Sequence, residues 1–273
     1  MPELPEVEVT RRALARALVG ERVARVWVSG SKLRVSLDPS SCEWLQGRVI
    51  DSVRRSGKTI LVDVGGRVMV AHLGMSGCFR VGGAERKHDH VRFELESGCH
   101  VVYNDPRRFG FIQLHEVRDE KPVGRSITSM TAGLDCLDSN LSGKLLHAGL
   151  CWRGRQELKL ALLDQQFLAG LGNIYASEVL HRAGLLPTRC AASVTIEEAE
   201  VLVHCIREVL LEAIEAGGSS ISDHRLLDGS SGSYQLQHRV YGREGCSCRK
   251  CPGLVVRTLQ SGRSSFFCPL CQK

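Results

Sequence analysis

The sequence predicts an α+β multidomain protein: a β-rich N-terminal part with a leading helix, a helical middle part and a cysteine-rich C-terminal module. Short runs rich in Val and Ile recur before about residue 120, and helical periodicity dominates from about 140 to 216. Four of the twelve cysteines stand in two pairs near the end of the chain. Each of these patterns predicts a different kind of packed unit.

The leading helix is predicted from about Pro5 to Val19. Pro5 suits the first turn, where its missing N–H costs nothing, and Glu6 suits the positive end of the helix dipole. Gly20 can end the helix because glycine adopts the left-handed conformation that is common at that point. We therefore expect one helix before the first strand.

Eight strand-like runs follow the helix, and several alternate between apolar and polar residues. Gly65-Gly66 separates two of the runs, which is typical of a tight hairpin. Eight short strands joined by short turns indicate a β-sandwich or a β-barrel. The predicted runs are 22–28, 32–37, 48–54, 58–64, 67–72, 90–96, 99–104 and 110–115.

The middle of the chain is predicted to be helical. Its clearest helix begins at Thr195, where Glu198 completes a capping box, and ends near Gly217-Gly218. Apolar residues recur at helical spacing from Leu202 to Ala213. The predicted domains are 1–120, 121–235 with a flexible Gly- and Ser-rich loop at 217–233, and 236–273.

The charge of the chain is mildly positive, with 36 Lys and Arg against 30 Asp and Glu. From His238 onward seven basic residues accompany one acid, Glu244. This concentration is typical of a phosphate-binding surface, and the alternative is a solvated basic tail. No apolar run reaches the ~18 residues of a membrane span, and the acidic N-terminus does not resemble a signal peptide. We expect a cytoplasmic protein that does not bind membranes.

The cysteine pairs predict a metal site. Cys248 and Cys251 form one Cys-x2-Cys pair, Cys268 and Cys271 form another, and 16 residues separate them. Four thiolates at this spacing can surround one tetrahedral zinc and leave no open position, so the zinc is expected to be structural. Cys246 is an alternative ligand because it lies next to the first pair.

Val255 to Arg257 and Ser265 to Phe267 lie between the two cysteine pairs and are predicted to form a hairpin. Gly262 would lie near the tip of this hairpin, and Arg263 would project outward from it.

Two loops and one turn carry further candidate residues. Met75 lies in the run His72 to Gly77, and Arg107 and Phe109 lie in the run Asp105 to Gly110. Such side chains on loop tips can fill the gap left by an extruded nucleotide. The alternative places Met75 and Phe109 in the core and gives Arg107 an ion-pair partner.

The turn is the run Leu171 to Glu178, which opens a helix. Its backbone N–H groups and the Asn173 side chain suit a DNA phosphate, whereas the alternative is an ordinary connection between helices.

Together these motifs resemble the bacterial formamidopyrimidine-DNA glycosylase (Fpg, or MutM) family over almost the whole chain. The start Met-Pro-Glu-Leu-Pro-Glu-Val-Glu, both loops, the turn and Val240 to Arg243 before the cysteine module occur in the family's order. The resemblance implies an N-terminal β-sandwich with a leading helix, a helix–two-turn–helix domain and a C-terminal zinc finger. It implies a bifunctional glycosylase and abasic-site lyase that excises oxidised purines (8-oxoguanine and formamidopyrimidines) and cleaves the strand by β,δ-elimination.

The resemblance also implies roles for individual residues. Pro2, exposed when Met1 is removed, would be the nucleophile that forms a Schiff base. Glu3 would be the acid that assists sugar-ring opening, and Glu6 either assists or is only a helix-start charge. The remaining implied catalytic residues are Lys58, for base loss and β-elimination, and Arg263, for δ-elimination.

The implied partner is double-stranded DNA with oxidised purines or abasic sites, bound by a monomer that carries one structural zinc ion. Two rivals remain: the sister endonuclease VIII group, which typically lacks Leu4 and the His-Leu-Gly-Met loop, and a non-catalytic zinc-dependent DNA-binding protein. The implied DNA contacts are His90, Arg107, Lys159 and Asn173, with Met75, Arg107 and Phe109 filling the void.

Overall fold

The computed structural model describes residues 1–30, 33–34, 37–116, 133–219 and 232–273. The chain forms two compact units, and each is described by itself. The first unit is Met1–Ile127 with Ala216–Ser233, and the second is Thr128–Glu215 with Tyr234–Lys273. The three-part division by residue number stays a prediction. No helix in the described part of the chain is long and apolar enough to span a membrane.

The first unit begins with helix α1 (Leu4–Leu18), which confirms the predicted leading helix to within one residue. Glu3 is its N-cap, and Glu6 completes a capping box with Glu3. Gly20 follows the helix with a φ of 83°, a conformation that favours glycine. The buried side of α1 packs on neighbouring strands.

The strands of the first unit form two antiparallel four-stranded sheets. One sheet has the order β1-β6-β7-β5 and the other β2-β3-β4-β8. Alternate residues of both sheets meet in one apolar core, so the architecture is the β-sandwich that the sequence predicts. The strands are β1 (Val23–Val28), β2 (Ile50–Ser56), β3 (Thr59–Val64), β4 (Arg67–His72), β5 (Cys78–Val81), β6 (Asp89–Leu95), β7 (His100–Asn104) and β8 (Phe111–Glu116).

The predicted run 32–37 is wrong as a strand, since its described residues Leu33, Arg34 and Leu37 are in none. Residues 31–32 and 35–36 of that region lie outside the described residues. A short helix that the periodicity did not predict, α2 (Pro39–Leu45), follows instead. Asp38 caps it by accepting the Ser41 N–H at 2.8 Å. Strand β5 was also not predicted, because four residues are too few to show alternation.

The second unit is helical. Thr195 and Glu198 make the predicted reciprocal capping box at the start of the longest helix. The unit also contains two strands of two residues each, which pair in parallel: Leu134–Asp135 and Leu168–Ala169. The helices are α3 (Gly143–Trp152), α4 (Leu158–Leu162), α5 (Asn173–Ala183) and α6 (Ile196–Glu215).

The predicted hairpin of the cysteine module is present in the second unit. Its strands are Val256–Gln260 and Arg263–Phe267, paired antiparallel with Gln260 opposite Arg263. Ser261 and Gly262 form the tip, both with positive φ. The module therefore consists of a two-stranded hairpin between two cysteine pairs.

Candidate functional site

The N-terminal residues of the first unit are held in place by the buried carboxylate of Glu6. Its Oε2 accepts the backbone N–H of Glu3 at 2.8 Å, and its Oε1 accepts the backbone N–H of Ser219 at 2.8 Å. Pro2 and Glu3 are themselves buried, whereas Met1 is 56% exposed. Two roles were expected for Glu6, assistance in catalysis or a charge at the start of the helix. These contacts support the second role. Residues 220–231 of the predicted 217–233 loop lie outside the described residues.

Lys58 lies in the tight turn between β2 and β3 and is largely buried. An ion pair ties the turn to helix α1: Arg55 Nε lies 3.2 Å from a Glu8 carboxylate oxygen, and Arg55 Nη1 donates to the Gly57 carbonyl at 2.8 Å. Burial raises the pKa of Glu8, but hydrogen bonds and charges from Arg11, Arg12 and Arg55 outweigh it and lower the pKa overall. The turn that contains Lys58 is thus linked to helix α1, which follows Pro2.

His72, at the end of β4, lies beside this turn because it pairs with Thr59 in the sheet. Burial, with smaller contributions from the charges of Lys58 and Arg34, lowers the pKa of His72 to about 4, so its ring is neutral at pH 7. Nδ1 accepts the Gly74 N–H at 2.9 Å, which leaves the proton on Nε2. Sequence analysis named His72 only as the start of a motif; its nearness to Lys58 comes from strand register.

The two loops expose the side chains that were predicted to fill a void. Met75 is 42% exposed, and Phe109 is 47% exposed. The Arg107 guanidinium lies 5.1 Å from the centre of the Phe109 ring, a cation–π contact, and forms no ion pair with any described residue. The alternative of core packing and an ion pair therefore does not hold for this region.

His90 is buried inside the sandwich. Its Nε2 donates to the Asp105 carbonyl at 3.0 Å, and its Nδ1 lies 3.2 Å from Ser29 Oγ, which can donate to it. Since a carbonyl oxygen can only accept, this tautomer is the one that the contacts require. In this structure His90 is bonded to the 105–110 loop, a direct DNA contact would have to break one of these bonds, and that contact stays a prediction.

Lys159 has no exposed surface, so its ammonium is held by internal acceptors in this structure, and its contact with a phosphate stays a prediction. Its ammonium donates to Asn173 Oδ1 at 2.7 Å, the Ser264 carbonyl at 3.0 Å and Ser265 Oγ at 2.7 Å. Asn173 Nδ2 also donates to the Ser264 carbonyl, at 2.9 Å. A buried ammonium needs this full set of acceptors, and here it joins the start of α5 to the hairpin.

Arg263 is exposed at the start of the second hairpin strand, as predicted. The next residue, Ser264, is the one held by Lys159 and Asn173. Arg257 lies on the facing strand, and its Nε donates to Ser264 Oγ at 3.0 Å. The backbone beside Arg263 is therefore fixed, while its guanidinium is presented to solvent.

The four predicted cysteines converge, with their Sγ atoms all within 4.8 Å of one another. Cys248 and Cys271 are 3.8 Å apart at sulfur, and Cys251 and Cys268 are 3.4 Å apart. A tetrahedral ion at about 2.3 Å from each sulfur needs sulfur pairs about 3.8 Å apart, so the cluster fits one metal ion. Cys246 is exposed and does not belong to the cluster.

Side chains of helix α5 hold the cysteine module in place. Besides Asn173 at its start, the carboxylate of Glu178 accepts the backbone N–H groups of Arg239, Val240 and Tyr241 at 2.8 to 3.0 Å. One buried carboxylate thus holds three consecutive residues at the entry to the module.

His181 of α5 reaches the metal cluster itself. Its Nε2 lies 3.3 Å from Cys248 Sγ and 3.8 Å from Cys271 Sγ, and its ring is fully buried. Burial, with the positive charges of Arg239, Lys250 and Arg182, lowers the pKa of His181 to about 4 despite the opposing charge of Glu178. The neutral ring can donate its Nε2–H to the sulfurs. His181 is not predictable from the sequence, because no local pattern connects it to cysteines 67 and 90 residues away.

The predicted residues divide between the two units. The first unit holds one group around the N-terminus and the two loops, and the second holds another around α5 and the cysteine module. The first group is Pro2, Glu3, Lys58, Met75, His90, Arg107 and Phe109, and the second is Lys159, Asn173, Arg263, Cys248, Cys251, Cys268 and Cys271.

The first unit is a helix-led β-sandwich, and the second is a helical unit that contains a four-cysteine cluster. The family model "Formamidopyrimidine-DNA glycosylase N-terminal domain" matches residues 1–112, and the "Formamidopyrimidine-DNA glycosylase H2TH domain" matches residues 132–225. The formamidopyrimidine-DNA glycosylase of Cereibacter sphaeroides is 47% identical, with all of both chains covered. The chain belongs to the formamidopyrimidine-DNA glycosylase family.

Solved structures agree. The crystal structure of the MutM (Fpg) protein of Thermus thermophilus matches with a TM-score of 0.86 and 40% identity, over 99% of this chain and 98% of that one. A mutant of the Lactococcus lactis Fpg protein, in complex with DNA that contains Fapy-dG, matches with a TM-score of 0.90 and 30% identity over all of both chains.

Replacing His181 by Phe is expected to weaken metal binding by about 10- to 100-fold, the usual effect of removing a hydrogen bond to a metal ligand. Phe fills a similar volume but cannot donate to Cys248 and Cys271. Metal release to a chromophoric chelator measures the change. His204→Phe is the matched control, because His204 is exposed on α6 and contacts Glu208. Equal metal affinity of His181→Phe and the parent would rule out the role.

Proposed function

We propose that this chain is a bifunctional DNA glycosylase and abasic-site lyase that removes oxidised purines from duplex DNA. The observation that carries the proposal is the fixed N-terminus, where Pro2 and Glu3 precede a helix whose first turn is tied down by buried Glu6. Family membership supports the glycosylase activity. The substrate class follows the name of the family and the Fapy-dG complex of a relative.

The first chemical step uses the amine of Pro2. Removal of Met1 leaves a secondary amine, and an α-amino group titrates near ~8, so a useful neutral fraction exists at pH 7. Its lone pair attacks C1′ of the damaged nucleotide, the bond from C1′ to the base breaks, and the base leaves with a proton. Glu3 protonates the ring oxygen as the sugar opens, which gives a C1′ iminium on Pro2. A secondary amine keeps this iminium positive without protonation.

The iminium then acts as an electron sink for strand cleavage. Loss of a C2′ proton expels the 3′ phosphate, and a second elimination through C4′ expels the 5′ phosphate. Lys58 is assigned to proton transfer and contact during base loss and the first elimination. Arg263 is assigned to the phosphate that leaves in the second. Water finally hydrolyses the iminium and restores the amine.

The DNA contacts proposed for the first unit are Met75, Arg107 and Phe109, which fill the space left by the extruded nucleotide, with Arg107 facing the orphaned base. Their exposure on two adjoining loops supports this assignment. Asn173 is proposed to contact a backbone phosphate from the N-terminus of α5. Affinity should fall steeply with salt, since such contacts release counterions. The protein is proposed to act as a monomer.

The metal of the cysteine cluster is proposed to be zinc with a structural role. Four thiolates suit zinc among the common divalent ions, and four protein ligands leave no position for a reactive water. Cys248, Cys251, Cys268 and Cys271 would hold it, and no chemical step passes through it. Its contribution is to fix the hairpin that carries Arg263.

Blocking the Pro2 amine is expected to abolish covalent chemistry while DNA binding remains. A short N-terminal extension that leaves Pro2 in a peptide bond should slow cleavage by about 100-fold or more, the scale on which loss of a catalytic group acts. The variant Pro2→Gly, which has a primary amine in place of the secondary one, should also cleave poorly. Borohydride trapping on abasic DNA measures the adduct, and affinity for a tetrahydrofuran-containing duplex is the control. Normal cleavage by the extended chain would refute the assignment of Pro2 as the nucleophile. Binding of DNA by the parent without any covalent adduct would refute the proposed enzyme activity.

Arg263→Gln is expected to slow the reaction after the first elimination. Loss of a charge-assisted phosphate contact should slow the second elimination by about tenfold, so the product that retains the unsaturated sugar accumulates on a sequencing gel. Arg257→Gln is a matched control on the facing strand of the same hairpin. A similar product ratio in both variants would show that Arg263 has no separate role.

Oxidised purines are expected to be excised in preference to oxidised pyrimidines. When 8-oxoguanine opposite cytosine competes with thymine glycol in one reaction, the purine should be favoured by at least about tenfold in kcat/KM, roughly 1.4 kcal/mol. Product formation from the two labelled duplexes gives this ratio directly. Preference for the pyrimidine would place the activity with the endonuclease VIII group instead.

A further inference from the structure

The two loops that expose Met75 and Phe109 are joined beneath their tips by buried polar residues. Ser76 is 5% exposed, and Asp105 has no exposed surface. Ser76 Oγ donates to Asp105 Oδ1 at 2.6 Å and accepts the backbone N–H of Arg107 at 3.1 Å. Each exposed tip residue therefore has a buried neighbour that bonds to the opposite loop or closes its own.

The other carboxylate oxygen of Asp105 closes its own loop. Oδ2 accepts the backbone N–H of Gly110 at 2.8 Å, and the Tyr103 hydroxyl lies 3.5 Å away. Burial, with the charge of Asp105, raises the pKa of Tyr103, so its hydroxyl stays protonated. No cation pairs with Asp105 in the described part of the chain. A buried carboxylate without a counter-ion depends on every donor that faces it.

The backbones of the two loops are also in direct contact. A Cβ on Gly74 would lie 2.5 Å from the Phe109 carbonyl carbon and the Gly110 nitrogen, and one on Gly110 would lie 1.8 Å from Tyr103 Oη. Gly74 has a φ of 60°, which also favours glycine. The loops are packed without room for a side chain between them, and the hydrogen bond from Ser76 to Asp105 runs across this contact.

We propose that Ser76 and Asp105 form a loop latch, a pair of positioning residues that holds Met75, Arg107 and Phe109 as one rigid insert. The latch touches no DNA. It keeps the three side chains extended, because loops free to move would let exposed apolar side chains fold back onto the protein surface. That the insert fills the space left by an extruded nucleotide rests on the proposed function, whereas its rigidity does not.

The loop latch is tested with Ser76→Ala, with Asp105→Asn and with Ser76→Thr, which retains the hydroxyl. Asn at 105 would place an amide N–H against a donor and so break one of the two carboxylate bonds. Ser97→Ala is the matched control, because Ser97 is exposed in the turn between β6 and β7. Thermal melting identifies the variants that remain folded at the assay temperature.

The first measurement is the fluorescence of 2-aminopurine placed opposite a tetrahydrofuran site, which reports filling of the void without any chemistry. Ser76→Ala and Asp105→Asn are expected to lose most of the signal change on binding, whereas Ser76→Thr and Ser97→Ala keep it. Single-turnover excision of 8-oxoguanine should fall by about tenfold in the same two variants. Parent-like signals in Ser76→Ala would overturn the latch.

A double-mutant cycle separates positioning from general structure. In a Met75→Ala, Phe109→Ala background the insert is already lost, so adding Ser76→Ala should slow excision by less than about twofold. A further tenfold loss there would show that Ser76 acts elsewhere and would overturn the latch. If the parent excises no lesion, the proposed function fails, while the fluorescence measurement still decides the latch.

If the variants do not fold, hydrogen exchange in the parent protein tests the loop latch. The backbone amides of Arg107 and Gly110 should exchange at least about 100-fold more slowly than those of an open loop, since both donate to the latch. Exchange at the open-loop rate would overturn the proposal.

Discussion

The position of the N-terminus depends on one buried carboxylate, that of Glu6. A chain end has no second neighbour to hold it, and a nucleophile there would have no fixed geometry without an internal tether. Glu6 supplies the tether by accepting N–H groups from Glu3 on one side and from Ser219 on the other. The second bond reaches across more than 200 residues, so α1 and the segment after the long helix α6 are fixed relative to each other within the first unit. Gly218 is required there because a Cβ would approach Glu6 Oε1 to 2.9 Å.

The second unit solves a similar problem for a hairpin. Two short strands are not stable alone in water, so their placement must come from elsewhere. Helix α5 supplies it at three levels along its length, through Asn173 with Lys159, through Glu178 and through His181. Metal binding would then add to a scaffold that is already oriented. The hairpin can present Arg263 to solvent because Lys159 and Asn173 bond to the carbonyl of the adjacent Ser264.

The sequence was sufficient wherever the signal was local. The capping box of Thr195 and Glu198, the apolar stripe of α6 and the hairpin between the cysteine pairs each depend on residues a few positions apart, and each is present. The prediction of a strand at 32–37 failed because a few alternating residues before a proline are too few to identify a strand, and its described residues Leu33, Arg34 and Leu37 lie in none. The burial of Lys159 and His90 could not be seen, since it depends on partners brought together only by the fold.

Residues that a family resemblance marks as functional therefore fall into two physical kinds. Met75, Arg107 and Phe109 are exposed at a cost that only a binding partner offsets, whereas Lys159, His90 and Glu6 are buried with their bonds made internally. Sequence alone cannot separate the two kinds. Burial does so, because a fully buried cation with three acceptors would have to give up at least one of them to meet a phosphate, and that acceptor would be left unpaired. Among the second kind, His90 bonds to the Asp105 carbonyl in the loop that carries Arg107 and Phe109, whereas Lys159 fixes the backbone next to Arg263.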